Sequence, residues 1–144
     1  LEGHGFGLAC GTEKGGFVAN AVEVANKDKE GRVVRAITAF ECGAVLNPSL
    51  LKQQVEGSVV MGIGGALFEE VRFDKGKIQS DLLSRYRVPR YSDVPKMETI
   101  LLDRKDLASA GAGETAIMGI APAIGNAIFA ATGVRLRSMP MRLP

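Results

Sequence analysis

The sequence predicts an α+β fold in which two helices pack on a mainly antiparallel sheet. Residues 17–24 and 32–40 are strand-like and are joined by a polar turn, which favours a β-hairpin. Helical segments follow in the middle and near the end of the chain, so the predicted order is ββαβββα. The 144 residues are 46% hydrophobic, which is enough for one core. We therefore expect a single domain over residues 1–144.

The first helix is predicted to begin at Asn47–Pro48, since asparagine is a good N-cap and proline suits the first turn. Apolar residues then recur every four positions, at Leu51, Val55, Val59, Ile63 and Leu67. The same helix contains glycines at positions 57, 62, 64 and 65. Each glycine costs about 1 kcal/mol of helix propensity relative to alanine. We expect another backbone or a ligand to lie against these glycines.

The remaining elements are shorter. Residues 71–79 are predicted to form a second hairpin, residues 84–96 an ordered surface loop, and residues 96–102 a strand. The last helix is predicted to begin near Pro122 and to end at Gly133. Residues 3–16 contain six glycines and are assigned no regular element.

Composition argues against several classes of function. The 18 basic and 16 acidic residues are mixed along the chain, and only 6% of residues are aromatic, so a nucleic-acid surface is not expected. We find no run of about 18 apolar residues that would predict a membrane span in this chain. The first residues lack the basic leader and apolar run of a signal peptide, and the chain does not distinguish a periplasmic from a cytoplasmic location.

The cysteines and the single histidine do not predict a metal site. Cys10 and Cys42 lie 32 positions apart and form no CxxC pair. We expect two unpaired and mostly buried thiols, although a disulfide is possible. His4 is expected to be an exposed terminal residue. Zinc and iron–sulfur sites need several closely spaced ligands, so no metal ligand is predicted in this chain.

Glycine-rich segments do not indicate nucleotide binding. Residues 3–7 run into a strand and residues 62–65 lie inside a helix, whereas a dinucleotide fingerprint lies between a strand and a helix. Residues 111–115 lack the lysine of a phosphate loop and have Glu114 in its place, where a carboxylate would repel a phosphate.

Glu114 and Gln54 are the candidate functional residues. Glu114 follows Gly111-Ala112-Gly113, a turn on which a carboxylate is uncrowded and can meet a ligand. It is either a catalytic carboxylate or a first-turn acid that caps the last helix. Gln54 either binds a polar ligand through its amide or belongs to a solvated helix face.

Several motifs occur together in one order along nearly the whole chain. They are Glu41-Cys42-Gly43, Asn47-Pro48, Gln54-Val55-Glu56-Gly57, Gly62-Ile63-Gly64, Ala66-Leu67-Phe68-Glu69, Gly111-Ala112-Gly113-Glu114 and Pro122-Ala123-Ile124-Gly125-Asn126. This series resembles the C-terminal part of the molybdopterin-binding large subunit of the xanthine dehydrogenase/aldehyde oxidase family. The closing residues 131–140 are most similar to the isoquinoline 1-oxidoreductase β-subunit branch. The chain departs from the family pattern at Glu41, where aspartate is usual, and at Ser109-Ala110, where Pro-Gly is common.

The resemblance implies a function that this chain would serve as a C-terminal fragment of the subunit. Members of the family hydroxylate a carbon next to nitrogen or oxygen in N-heterocycles or aldehydes, with water as the oxygen source. Glu114 matches the position of the family's general base, Gln54 matches a cofactor-contacting glutamine, and Gly113 matches a residue lining the same site. In a largely dry pocket the pKa of such a carboxylate is raised, which suits a base.

The resemblance also implies the cofactor and the partners. The cofactor is molybdenum-molybdopterin, in the cytosine dinucleotide form. Iron–sulfur clusters are expected only in a partner subunit, and the remainder of the molybdopterin-binding subunit and a small-molecule substrate complete the partners. The alternative is a non-catalytic binding or assembly module of the same fold, in which Glu114 is a structural helix cap.

Overall fold

The computed structural model describes residues 3–27 and 30–142 of the chain. Its strands are β1 (His4–Glu13), β2 (Gly16–Lys27), β3 (Glu30–Glu41), β4 (Phe73–Asp74), β5 (Lys77–Ile78) and β6 (Lys96–Leu102). Its helices are α1 (Pro48–Leu67) and α2 (Ile120–Thr132). Three 3₁₀-helical turns lie at Leu83–Arg85, Tyr91–Asp93 and Thr115–Ile117.

Four strands form the main sheet, in the order β1-β2-β3-β6. The first three strands pair antiparallel and β6 pairs parallel with β3, while β4 and β5 form a separate small hairpin. The expected α+β fold with a mainly antiparallel sheet is confirmed, as are the strands over 17–24, 32–40 and 96–102. The parallel pairing of β6 follows from the long connection through α1, since parallel neighbours need a crossover.

Both helices pack on one face of this sheet. The larger core cluster joins Val22 and Val24 of β2 to Ile63 of α1 and to Ile120 and Ile124 of α2. A second cluster, which includes Val18, Phe40, Val55 and Ala116, lies below the start of α1. The core therefore lies between the sheet and the helices.

The start of α1 is as the sequence predicts. The Asn47 side chain accepts a hydrogen bond from the Leu50 backbone N–H at 3.0 Å, and Val55, Val59 and Ile63 are buried. A Cβ at Gly62 would lie 2.8 Å from the Ile120 side chain. The Ile120 side chain of α2 therefore lies directly against Gly62 of α1.

At Gly62 and Gly64 the nearest neighbours are side chains, not the backbone or ligand that the sequence predicts. A Cβ at Gly64 would meet Glu69 and Pro89, whereas at Gly57 and Gly65 it would meet no heavy atom within 4 Å. Among the described residues nothing lies against Gly57 and Gly65, and the contact expected at these two positions stays a prediction.

Strand β1 is the element that the sequence does not predict, because glycine is depleted in strands. Here the glycines are required by α2. A Cβ built at Gly5 or Gly7 would lie 2.0 Å from the backbone oxygen of Ala127 or Ala123. The absence of side chains at these two positions lets the helix backbone lie directly on the strand.

The end of α2 is confirmed, since Gly133 has a φ of +73° and donates its backbone N–H to the Phe129 oxygen at 2.8 Å. The helix begins at Ile120, slightly before the predicted Pro122. Within the described part of the chain, Thr115–Thr132 is long and apolar enough to cross a membrane, with a mean hydropathy of 1.5. Half of this segment is buried in the fold, as is usual for a core helix.

Two smaller expectations are corrected. Cys10 and Cys42 are both free thiols, but only Cys42 is buried, because Cys10 lies on the sheet face that carries no helix. His4 is half-buried, not exposed, and its Nδ1 lies 2.7 Å from Glu23 Oε1 on the neighbouring strand.

Candidate functional site

The segment between β6 and α2, residues 103–119, carries the candidate residues Gly113 and Glu114. Its first part is fixed to the residues that follow β3, since the Ala110 N–H donates to the Cys42 oxygen at 2.7 Å. Gly43 is required at this contact. It has a φ of +77°, and a Cβ there would lie 2.0 Å from the Ala108 oxygen. The Cys42-Gly43 motif therefore positions the segment that delivers Glu114.

Gln54 and Gly113 are in direct contact. The Gln54 side chain projects from α1, is exposed, and donates from Nε2 to the Gly113 backbone oxygen at 3.2 Å. Two predicted cofactor-binding residues, 59 positions apart, thus meet at one point. A glutamine amide has two N–H donors and an acceptor oxygen, so it can bind a ligand and keep this bond.

Glu114 points in a different direction. Its carboxylate forms an ion pair with Lys14, which lies in the turn between β1 and β2 with a φ of +50°. The Lys14 ammonium holds the pKa of Glu114 below its ordinary value, chiefly through the hydrogen bond between them. The Glu114 carboxylate in turn raises the pKa of Lys14 through the same hydrogen bond. The Glu114 side chain is 68% exposed. In the described chain alone Glu114 is therefore exposed and its pKa is lowered, and the dry pocket implied for the complete site stays a prediction.

Glu114 does not act as a helix cap. It precedes the turn Thr115–Ile117 and its side chain makes no capping hydrogen bond, while the N-cap of α2 is Gly119. The alternative reading as a structural helix cap is therefore wrong, because five residues separate Glu114 from the start of the helix that it was expected to cap.

Two residues near Glu114 were not found from the sequence. Thr115 is buried and donates from Oγ1 to the Glu13 oxygen at 3.2 Å, which ties the segment to the β1–β2 turn. Lys14 reaches Glu114 from the same turn. The only sequence signal is the Lys14-Gly15 pair, which is typical of a turn but does not reveal what the turn faces.

A shallow depression of about 320 Å³ lies beside Gln54 and Gly113. Its walls are mostly small or apolar and include Cys42, Leu50, Leu51, Ala110 and Ala112. Glu114 does not line it. The structure therefore brings Gln54 and Gly113 to one depression, while the Glu114 carboxylate lies outside it.

A second depression of about 330 Å³ lies where Arg32, Phe68, Arg87 and Arg142 meet, and shares no residue with the first. Its arginines are already engaged. Arg87 lies 3.8 Å from the Phe68 ring centroid and pairs with an aspartate, and Arg142 pairs with a glutamate. The candidate residues do not contribute to it. Within residues 3–27 and 30–142 no group of three or more His, Cys, Asp or Glu side chains could hold a metal ion.

Comparison with known proteins identifies the family. The sequence profile of the molybdopterin cofactor-binding domain matches residues 5–95. The chain belongs to this family. The matched region includes Gln54 and ends before Gly113 and Glu114.

Relatives of this chain include oxidoreductase subunits. The molybdenum-binding subunit PaoC of an Escherichia coli aldehyde oxidoreductase is 38% identical over 136 residues, covering 88% of this chain and 19% of PaoC. The β subunit of isoquinoline 1-oxidoreductase from Brevundimonas diminuta is 37% identical over 142 residues, covering 97% of this chain and 18% of that subunit. The chain thus spans about a fifth of the length of these relatives. The resemblance to the xanthine dehydrogenase/aldehyde oxidase family is confirmed.

Solved structures agree with the fold. Quinoline 2-oxidoreductase from Pseudomonas putida 86 superposes with a TM-score of 0.75 and 27% identity, over 87% of this chain and 17% of that one.

The residues around Gln54 fit one side of a molybdopterin. A pterin has polar edges, and the Gln54 amide is exposed with hydrogen-bonding capacity remaining. A Cβ built at Gly111 or Gly113 would meet no heavy atom within 4 Å, so the backbone at both residues is open to a ligand. The depression is shallow, so this chain supplies part of a binding site.

Proposed function

We propose that this chain forms the part of a molybdenum hydroxylase subunit that supplies the general base. The reaction is oxidation of a carbon next to nitrogen or oxygen, in an N-heterocycle or an aldehyde, with water as the oxygen source. The observation that carries the proposal is the Gln54–Gly113 hydrogen bond, because it puts a ligand-binding amide next to the backbone that leads directly into Glu114. The names of the relatives, an aldehyde oxidoreductase and an isoquinoline oxidoreductase, support this substrate range.

Gln54 and the Gly113 backbone would hold the cofactor, for which we propose the molybdopterin cytosine dinucleotide form. When bound, the molybdenum group would accept the hydrogen and both electrons of the C–H bond that breaks in the substrate. We further propose that iron–sulfur clusters in a partner subunit carry these electrons onward, as the resemblance to the family implies. The remainder of the molybdopterin-binding subunit would supply the other walls of the site.

Glu114 would accept a proton from the water molecule whose oxygen becomes the new hydroxyl group of the product. A base must be ionised before it acts, and the ion pair with Lys14 keeps the carboxylate ionised by lowering its pKa. Removal of Glu114 from water by the rest of the subunit would raise the pKa again and strengthen the base. The two effects oppose each other, so Lys14 limits how far burial can raise the pKa.

The test is Glu114→Gln in the complete enzyme, with molybdenum content and turnover measured together. Since general bases contribute about 10²- to 10⁴-fold to rates, we expect kcat to fall by that factor with molybdenum retained. The matched control is Glu13→Gln, which removes a neighbouring carboxylate that lies 3.9 Å from the same lysine.

Near-normal turnover of Glu114→Gln would remove Glu114 from the mechanism. If the complete wild-type protein contains no molybdenum despite a supply of cofactor, the chain is instead a non-catalytic assembly module.

A further inference from the structure

The second face of the main sheet carries a cluster of large apolar side chains, and no helix of the described residues covers it. Side chains alternate along each strand, and those opposite the helices lie on what we call the open face. Its large members are Phe6, Leu8, Phe17, Ile37, Ile100 and Leu102. Phe6 is 65% exposed, Leu8 62% and Phe17 56%. Large apolar side chains from all four strands of the main sheet therefore face outward together.

The strand register makes this face continuous. Leu8 lies opposite Ala21, and Ala21 lies opposite Ile37, so one apolar row crosses three strands. The next row runs from Cys10 through Ala19 and Ala39 to Ile100. Antiparallel sheets that face water on one side carry polar residues there. The open face instead carries a patch of large apolar side chains next to polar ones, and an exposed apolar patch of this kind marks an interaction surface.

The shape of the open face favours a partner with bulky apolar side chains. Ala21 is small and forms the floor of a groove of about 310 Å³ whose walls include Phe6, Leu8 and Ile37. A large side chain from a covering layer would fill this groove, as interdigitating side chains do in protein cores.

Charged residues also lie on the open face, among them Glu23, Arg35, Glu41, Lys96 and Glu98. Arg35 Nη2 lies 3.3 Å from Glu98 Oε2, and Glu23 pairs with His4 at 2.7 Å. The covering layer therefore meets an apolar patch together with charged side chains, and Lys96 and Glu41 form no ion pair among the described residues. A polar partner, in contrast, would leave several large apolar side chains without apolar contacts.

We propose that another segment of the same molybdopterin-binding subunit packs on the open face and completes a three-layer structure. This rests on the proposed function, in which the chain works within a complete subunit. The chain matches only 19% of PaoC and 18% of the isoquinoline oxidoreductase subunit, so about four fifths of each relative lies outside the matched part. A segment of the same polypeptide is held close at high effective concentration, which favours it over a separate chain.

The labelling rate of the Cys10 thiol measures this packing. It is exposed and lies on the open face beside Ala19, whereas Cys42 is buried by the fold itself. In the complete native subunit under reducing conditions, we expect maleimide to label Cys10 at least tenfold more slowly than in the same subunit unfolded in urea. Cys42 should be protected as well and reports that the fold is intact.

The identity of the covering segment is tested by a photo-cross-link. Leu8 is replaced by a benzophenone amino acid in the complete enzyme, and cross-linked peptides are mapped by mass spectrometry. Cross-links to the same polypeptide outside residues 1–144 support the proposal. Cross-links to the iron–sulfur subunit, or to a second copy marked by isotope mixing, would overturn it. Rapid labelling of native Cys10 would overturn it too.

These outcomes are separable from the outcome for Glu114. Labelling of Cys10 does not depend on turnover or on molybdenum, so the open face can prove uncovered in an active enzyme. Conversely, Cys10 can be protected in a subunit whose Glu114→Gln variant retains full activity.

Discussion

Gly7→Ala tests the close contact between β1 and α2, which organises the helix face of the sheet. The new Cβ would lie 2.0 Å from the Ala123 oxygen and 2.4 Å from the Ala127 nitrogen. Both atoms are backbone, so no rotamer change relieves the clash. Strand and helix would have to separate by about 1.4 Å to restore ordinary contact at 3.4 Å.

The energetic cost follows from this separation. A gap of about 1 Å forfeits up to half of the dispersion energy of the atoms that line it, and overpacking in cores costs about 1–3 kcal/mol. Ile120, Ile124 and Ile128 all lie at the affected contact between α2 and the sheet. We therefore expect the local opening free energy of α2 to fall by about 1–3 kcal/mol, which corresponds to roughly 5- to 150-fold faster amide exchange.

The assay is hydrogen exchange of peptides that cover α2, measured by mass spectrometry on the complete subunit. The matched control is Gly11→Ala in the same strand, whose Cβ would meet only the Met118 side chain at 3.3 Å. This variant should leave exchange in α2 within about threefold of wild type, since a flexible methionine can move by a few tenths of an ångström. Equal exchange in the Gly7→Ala and Gly11→Ala variants would refute the argument that β1 glycines are required for helix contact.

Three further predictions concern the site. Lys14→Met should let the pKa of Glu114 rise toward its ordinary value, so the acid limb of the kcat–pH profile should move to higher pH, while Lys14→Arg should keep the limb in place. If the limb does not move in Lys14→Met, the ion pair does not control the base. Gln54→Ala should weaken retention of molybdenum by about two- to tenfold, which is the contribution of one hydrogen bond, as measured by molybdenum analysis after dialysis. The control Gln53→Ala should retain molybdenum as the wild type does. Asn47→Ala should destabilise the first turn of α1 by about 1 kcal/mol, measured by amide exchange, and Asn47→Asp should not.

The sequence predicted the elements that are determined by contacts between residues close together in the chain. Asn47 caps α1 through a bond to the third residue after it, and Gly133 ends α2 in a left-handed conformation. Both signals act within one helical turn, so the sequence contains them completely. The pairing of β2 with β3 is likewise a short-range hairpin.

Strand β1 could not be predicted because the helix that requires its glycines, α2, lies over 100 residues away in the sequence. Gly5 and Gly7 read locally as breakers of a strand, whereas their lack of side chains is what α2 requires. The same applies to Lys14, whose partner Glu114 is 100 residues distant. A single sequence shows that a turn exists at Lys14-Gly15 but does not show what it faces.

The candidate site and the open face lead to the same physical conclusion. A general base needs partial exclusion of water, yet Glu114 is largely exposed and its pKa is lowered. A stable sheet needs cover on its apolar face, yet Phe6 and Leu8 face outward. Both features become favourable when further protein packs on this chain, because burial would raise the pKa of Glu114 and remove apolar surface from water. If the rest of the subunit buries Glu114, the acid limb of the wild-type profile should lie above pH 4.5, the ordinary pKa of glutamate, despite Lys14. An acid limb below that value would show that burial does not outweigh the ion pair with Lys14.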